Sequence, residues 1–391
     1  MSDRSLASLS ALTIAVAIAV ASLAPVSLAA QAPASHPNAG AALGTPGTAA
    51  KATKTPATKT WTPPLTPSGQ PDLQGVWVSN SATPLERPKA LEGRQFLTDD
   101  EVTELKQRAA RLFGGGNADA AGGDNVFLAA LANLEDYKSP NATEAQSAER
   151  EFDNRTSLIV DPSDGRLPPL TPEGQRRAAA AAATSSTVPF QPGIDRETQQ
   201  KQAAATAARR RLPAGPEDVS NDRRCITFGV PRLGGNYGAG NFSYYQILQA
   251  PGYVVLTTEF VHEARIIPLD GRRHLSQSIR QWDGDSRGRW EGNTLVVDTT
   301  NFSPKSYFMG SAENLHVVER FTRVAPDTIN DEITLTDPTT WTKPWAAVVR
   351  LKQTQDEIYE VACHEGNHLT MAGILAAARA EEKAAEAALK P

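Results

Sequence analysis

The sequence predicts a mainly β fold, an antiparallel meander that closes into a calycin-like barrel, with a β-sandwich as the alternative. From Cys225 onward, short runs rich in β-branched and aromatic residues follow one another. Tight turns such as Pro251-Gly252 and Asp270-Gly271 separate these runs, and no helical pattern lies between them. About ten such strands favour closure, because a closed barrel has no exposed edges.

The beginning of the chain predicts export. Residues 1–29 have the pattern of a cleaved secretory signal peptide, with Arg4 before an apolar run over 12–23 and small residues Ser27 and Ala29 near the cleavage site. The apolar run is shorter than the roughly twenty residues that a membrane-spanning helix needs. Residues 30–60 are rich in Ala, Thr, Pro and Lys, which predicts a disordered linker. We expect a periplasmic or secreted protein without a stable membrane anchor after cleavage.

Residues 61–220, between the linker and the β-rich domain, consist largely of low-complexity sequence. Residues 61–177 are expected to form an irregular segment that packs on the barrel, with a disordered insertion near 114–150. Within this segment, Thr98 and Glu101 have the spacing of a capping box at the start of a helix that runs to Leu112. Residues 178–220 are predicted to be a low-complexity linker.

The predicted β-rich domain covers residues 221–368. Its strands are expected at 244–249, 253–260, 264–269, 278–282, 289–291, 294–299, 316–324, 328–336, 346–353 and 358–363. Residues 369–391 are rich in Ala and Glu and predict a C-terminal helix that could cover one mouth of the barrel.

Two resemblances accompany this prediction. Gly75-Val76-Trp77 resembles the Gly-x-Trp strand with which ligand-binding barrels of the lipocalin type often begin. Residues 284–302 (GDSRGRWEGNTLVVDTTNF), with 265–272, 337–342 and 362–367 (ACHEGN), resemble a family of uncharacterised exported bacterial proteins. That resemblance implies export but no particular activity, and His368 stands where the family leads us to expect an aromatic residue.

The two cysteines, Cys225 and Cys363, bracket nearly the whole β-rich region. In an oxidising compartment such a pair tends to form a disulfide bond, and we expect one here. A closure of this length is worth roughly 4–5 kcal/mol in the chain-entropy account.

Charge and motifs exclude several functions. The formal net charge of −5 provides no basic surface for nucleic acid. The sequence has no Gly-x-Ser-x-Gly element for a serine nucleophile. The Gly-rich run at 234–238 lacks the lysine and the strand-to-helix context of a phosphate loop, so nucleotide binding is rejected.

The first candidate catalytic cluster is His262, Glu263 and Arg265, at the junction of two predicted strands. A histidine beside a carboxylate can act as a general base near neutral pH, and an arginine can hold an anion. The alternative is a solvated turn with one salt bridge.

The second candidate catalytic cluster is His364 and Glu365, which follow the last predicted strand. If that strand and the strand at 253–260 end at the same rim, His262 and His364 would face one mouth as an acid/base pair. Neither cluster has the ligand spacing of a recognised metal site, so we predict no metal and no cofactor. The Asp283-Gly284-Asp285 turn lacks the ligand count of a calcium loop and is interpreted as a hairpin turn.

Candidate ligand-binding residues are aromatic or lie on a mixed strand face. Trp290, Trp341 and Trp345 could stack on sugar rings or fill the core. Period-two alternation places Arg320 on the same face of its strand as His316 and Val318, opposite Val317, Glu319, Phe321 and Arg323. Strand faces that mix charged and apolar residues are typical of a polar-lined cavity and equally of an edge strand. If Arg320 points inward, its buried charge needs an acidic partner.

Three functions remain open on the sequence. The first is an exported enzyme that uses His262 or His364 as acid/base on a small organic molecule or glycan. The second is a non-catalytic, lipocalin-like barrel that binds a small ligand. The third is an interaction module of the cell envelope. A histidine-free apolar cavity would favour the second function, and no cavity the third.

Overall fold

The computed structural model describes residues 61–113, 123–133, 150–184, 201, 205, 212–233, 244–259, 261 and 263–388. Within them the chain forms a ten-stranded antiparallel sheet and four α-helices. The strands are β1 (Gly75–Val78), β2 (Ile159–Asp161), β3 (Tyr244–Ala250), β4 (Tyr253–Thr258), β5 (Ala264–Pro268), β6 (Asp285–Glu291), β7 (Thr294–Thr300), β8 (His316–Ala325), β9 (Thr328–Thr336) and β10 (Trp345–Thr354). The helices are α1 (Asp99–Phe113), α2 (Gly123–Leu131), α3 (Pro172–Thr184) and α4 (Asn367–Ala388). The predicted signal peptide and the linker at 30–60 lie outside the described residues.

The order of strands across the sheet is β5-β4-β3-β1-β10-β9-β8-β7-β6, and β2 pairs with β10 beside this path. Two meanders, β3 to β5 and β6 to β10, are therefore joined by β1, which lies between β3 and β10. Trp77, whose backbone pairs with Tyr245 and Gln353, is fully buried, and its indole N–H donates to the carbonyl of Leu73 at 2.9 Å. The segment 61–177 thus supplies strands to the sheet itself.

The two edge strands, β5 and β6, approach one another without pairing. No backbone ladder joins them among the described strands, so the sheet is not closed by hydrogen bonds. They are close at Gly288, where an added Cβ would lie 2.8 Å from a side-chain methyl group of Ile267 and 2.6 Å from one of Leu269. The prediction of a mainly antiparallel β fold with a C-terminal helix is confirmed, and closure into a barrel stays a prediction.

Most of the strands predicted in the β-rich region are present, and two of those predictions are wrong. Residues 278–282 are not a strand: only Gln281 forms a single bridge, to Phe302. Residues 358–363 are not a strand either. The N–H of Tyr359 donates to the side-chain carboxylate of Glu259 at 2.9 Å, where a strand would donate to a backbone carbonyl of its neighbour. Only the next contact, from the N–H of Val361 to the carbonyl of Glu259, is a backbone bond.

The core follows the period-two alternation of the strands. On β8, Val317, Glu319, Phe321 and Arg323 are buried and point inward, whereas His316, Val318 and Arg320 lie on the outer face. The inward residues of the other strands complete one hydrophobic core, whose largest fully buried side chains include Trp77, Phe321 and Trp345. Charged residues therefore share the inner face with this core.

A second, smaller core lies under α1 and α2. The predicted capping box is present, with Glu101 Oε2 accepting the N–H of Thr98 at 2.8 Å and Thr98 Oγ1 accepting the N–H of Glu101 at 3.3 Å. The buried side of α1 meets α2, where Phe127 stacks on Phe152 with ring centroids 6.1 Å apart.

The disulfide bond between Cys225 and Cys363 is confirmed, with Cα atoms 5.7 Å apart. It ties the segment that precedes β3 to the start of α4, which is exposed along most of its length. None of the described helices is both long and apolar enough to cross a membrane.

Candidate functional site

The inner face of the sheet carries a cross-strand ion pair between Arg265 on β5 and Glu319 on β8. The two nitrogens Nη1 and Nη2 of Arg265 lie 3.0 and 2.6 Å from Oε1 and Oε2 of Glu319, a bidentate arrangement. Nη2 also lies 3.2 Å from the hydroxyl of Thr299 and 3.3 Å from that of Ser286. Arg265 thereby connects one edge strand to β6, β7 and β8 across the interior.

A second ion pair lies beside the first. Arg232 Nη2 is 2.5 Å from Oε2 of Glu263, and Oε1 of Glu263 accepts the N–H of Phe228 at 2.7 Å. The Phe228 ring lies 5.3 Å from the guanidinium carbon of Arg232, a cation–π distance. Glu263 therefore fixes both the segment before β3 and the arginine that this segment presents.

The two ion pairs line a cavity of about 20 Å³ inside the sheet. The other lining residues are Val230, Tyr245, Leu256, Thr258 and Phe321. Arg232 is only 6 % exposed, and within the described chain its Nη1 has no hydrogen-bond partner. The Nε of Arg265 is buried without a partner in the same part of the structure. Native proteins rarely leave such donors unsatisfied, so these groups require an explanation.

Two further acids adjoin the cluster. Burial, followed by the charge of Glu263, raises the pKa of Asp283, which accepts the hydroxyl of Thr227 at 2.6 Å. Burial, followed by the charge of Glu319, raises the pKa of Asp331 well above its ordinary value. The group of charged residues around the cavity therefore comprises Arg232 and Arg265, which are paired to Glu263 and Glu319, together with Asp283 and Asp331.

The predicted catalytic residues are distributed between two places. Glu263 and Arg265 lie together in the interior cluster, but in different ion pairs. His262 lies outside the described residues, so its place in an acid/base pair stays a prediction. His364 and Glu365 are exposed in the turn that follows Cys363.

Arg232 and Glu319 were missed by sequence reasoning. The mixed faces of β8 are the signal that could have identified Glu319, because one of those two faces had to point inward. Arg232 lies in a segment without regular secondary structure, and no periodicity marks it.

The predicted ligand-binding residues lie in three different environments. Trp341 and Trp345 are 2 % and 0 % exposed and meet edge to face, with centroids 5.6 Å apart, so their rings pack in the core. Trp290 packs against the same core. Arg320 is on the outer face, where its guanidinium lies 2.8 Å from Glu291, and it has no role in lining the interior cavity.

A histidine–aspartate cluster occupies the outer face of β6, β7 and β8. The ring of His274 lies between two carboxylates, with Nδ1 3.0 Å from Asp285 and Nε2 3.0 Å from Asp298. His316 Nε2 lies 3.1 Å from the same oxygen of Asp298. Arg287 holds the second oxygen of Asp285 at 2.6 Å. No sequence motif marks this cluster, because its members come from four separate segments.

The ionisation of this outer cluster follows from its contacts. The hydrogen bond from His316 lowers the pKa of Asp298, and the same bond raises the pKa of His316. Both contacts of His274 are hydrogen bonds only if both ring nitrogens carry protons, since ionised carboxylates only accept. Across the described residues, no group of three or more His, Cys, Asp or Glu side chains could hold a metal ion.

Comparisons with known proteins add little to this geometry. No protein-family model matches the chain, and no curated protein matches it. One similar solved structure is the crystal structure of the fluorescent protein UnaG N57A mutant, at 13% identity. The match covers 35% of this chain and 87% of that chain, with a TM-score of 0.21. At that TM-score the likeness carries no argument about function.

Proposed function

We propose that the protein binds a small polar molecule in the interior of its sheet, with Arg232 as the principal hydrogen-bond donor. The observation that carries this proposal is the buried Nη1 of Arg232, which has no partner among the described residues although Arg232 lines a cavity. An unsatisfied buried donor costs about 1–3 kcal/mol, and more when the group is charged. A ligand oxygen at this position offsets that cost.

The size of the cavity limits how the ligand enters. About 20 Å³ is room for roughly one water-sized group. The ligand therefore places only one terminal polar group between the two ion pairs, and the rest of the ligand stays outside the cavity. Because Glu263 fixes the guanidinium of Arg232, the donor is already oriented before binding, which lowers the entropic cost of association.

The proposal includes the closure of the sheet and the export of the protein. We propose that the sheet wraps into a barrel, supported by the contact of β5 with β6 at Gly288 and by the reach of Arg265 across to β8. We propose that the protein is exported, supported by its disulfide bond, and that it belongs to the exported family that residues 284–302 resemble.

Acid/base catalysis is the second candidate function. His316 is 42 % exposed and is oriented by Asp298, the arrangement of a histidine general base. If the protein turns over a ligand, His316→Gln is expected to remove turnover, whereas His368→Gln on the exposed helix α4 is expected to retain it. Equal turnover in both variants contradicts a role for His316.

The binding proposal is tested by ligand-observed NMR with the disulfide-intact full chain and a set of small alcohols, amides, carboxylic acids and amines. The test variant combines Arg232→Met with Glu263→Gln, so that no buried charge is left unpaired. Arg223→Met, an exposed position nearby, is the matched control. We expect at least one fragment to bind the wild type and the control but not the test variant. Binding that survives in the test variant, or no binding to the wild type, overturns the proposal.

A further inference from the structure

We infer that the interior site selects an uncharged oxygen acceptor, such as an amide, carbonyl or hydroxyl group, over both carboxylates and ammonium groups. This inference rests on the proposed binding function and names the chemical class of the group that enters the cavity. It follows from two features of the site. The positive charge of the free donor disfavours a cation, and the negative charge around the donor disfavours an anion.

A cation is disfavoured by the donor itself. The unsatisfied group is an N–H of a guanidinium, which is always protonated and has no acceptor atom. An ammonium group placed against Nη1 would meet a like charge and could not form a hydrogen bond with it. The carboxylate paired with this guanidinium, that of Glu263, is already engaged by Nη2 of Arg232 and by the N–H of Phe228.

An anion is disfavoured by the surroundings of the donor. A carboxylate at Nη1 of Arg232 would lie beside the carboxylate of Glu263, which occupies Nη2 of the same guanidinium. Glu319 also lines the cavity and is paired with Arg265. Each arginine is thus neutralised before a ligand arrives, and a ligand anion would add a third negative charge to a site of low dielectric.

The two additional acids strengthen this exclusion. Asp283 lies near Glu263 and Asp331 near Glu319, and the pKa values of both aspartates are raised, first by burial and then by the neighbouring glutamate. The surroundings of both glutamates thus already disfavour a further negative charge. A neutral oxygen satisfies the free N–H without changing this balance.

The test uses three probes of nearly the same shape and different charge: formamide, formate and formamidinium. Each is titrated into the wild-type full chain at constant ionic strength, and the guanidinium ¹H–¹⁵N resonances of Arg232 report binding at the site. We expect formamide to perturb these resonances and to bind at least about tenfold more tightly than either ion, a difference of about 1.4 kcal/mol. Formate or formamidinium binding as tightly as formamide overturns the inference and leaves the binding proposal standing. No perturbation of Arg232 by any of the three overturns the binding proposal itself.

A variant separates the role of Glu263 from the general polarity of the site. Glu263→Gln removes the carboxylate beside Arg232 and keeps a hydrogen-bonding side chain of the same size. We expect the preference for formamide over formate to fall or reverse in this variant. Glu291→Gln, at an exposed position on β6, is the matched control and is expected to keep the wild-type preference. An unchanged preference in Glu263→Gln contradicts the argument from charge.

Discussion

At the scale of single residues, the Arg265–Glu319 ion pair is the interaction whose loss we expect to be most costly. Arg265→Met leaves the carboxylate of Glu319, which is 3 % exposed, buried without its cation. Removal of one partner from a buried pair typically costs about 3–5 kcal/mol. We expect a loss of this size in the free energy of unfolding, measured by urea denaturation with the disulfide bond intact.

Arg320→Met is the control for that measurement, because Arg320 forms an ion pair of similar length on the outer face of β8. Its partner Glu291 is exposed, and ion pairs between exposed side chains contribute little to stability. If Arg265→Met and Arg320→Met destabilise the protein equally, burial does not control the strength of these pairs.

The same two arginines show what the sequence could predict at this scale. Alternation along β8 correctly separates Arg320 from Glu319. It cannot tell which face points inward, because both faces mix charged and apolar residues. The answer depends on Arg265, which is more than fifty residues away in sequence and provides the partner for Glu319.

At the scale of elements, the outer histidine–aspartate cluster fastens the connection between β5 and β6 to the sheet. His274 lies in that connection and contacts Asp285 on β6 and Asp298 on β7. His316 contacts Asp298, which also contacts His274, and His274 in turn contacts Asp285, the partner of Arg287. The folded-state pKa of His316 is raised above its unfolded value of about 6.5. Its stabilising contribution is therefore fully present below about pH 6.5 and is lost as the pH rises through the folded pKa.

We expect the free energy of unfolding of the wild type to fall as the pH rises above about 6.5. His316→Gln is expected to flatten this part of the profile, since the glutamine does not titrate. The profile of His368→Gln, at an exposed position on α4, should match the wild type. The free energies of unfolding of the three proteins are compared by urea denaturation between about pH 5.5 and about pH 8.5. An unaltered slope in His316→Gln contradicts a role for this pair in pH dependence.

The elements also show where prediction from sequence ends. The hairpins β3–β4, β6–β7 and β8–β9 were predictable because their turns and alternation are local. The place of β1 between β3 and β10 was not, since it depends on contacts between Trp77 and residues far along the chain. The failure at 358–363 has a related cause, because the side chain of Glu259 provides a hydrogen bond that a neighbouring strand normally provides.

At the scale of the whole molecule, the disulfide bond closes a loop of 138 residues that contains the whole of both meanders. It also fixes Cys225, which lies seven positions before Arg232, the proposed ligand-binding residue. The double variant Cys225→Ala/Cys363→Ala is expected to lose about 4–5 kcal/mol of stability, because the unfolded chain regains the entropy that the cross-link removes. Urea denaturation of the variant against the oxidised wild type measures this loss.

Loss of the cross-link also reaches the proposed site, because the segment from Cys225 to Arg232 is then held only by noncovalent contacts, among them the hydrogen bond of the Phe228 N–H to Glu263. Reduction of the wild type should therefore weaken the binding of formamide and move the Arg232 resonances, and reoxidation should restore both. Reductant should leave the double cysteine variant unchanged, which separates the bond itself from other effects of the reagent. If the reduced wild type keeps both its stability and its formamide affinity, the disulfide bond has no part in positioning Arg232, and noncovalent contacts such as those of Glu263 are sufficient to hold the site in place.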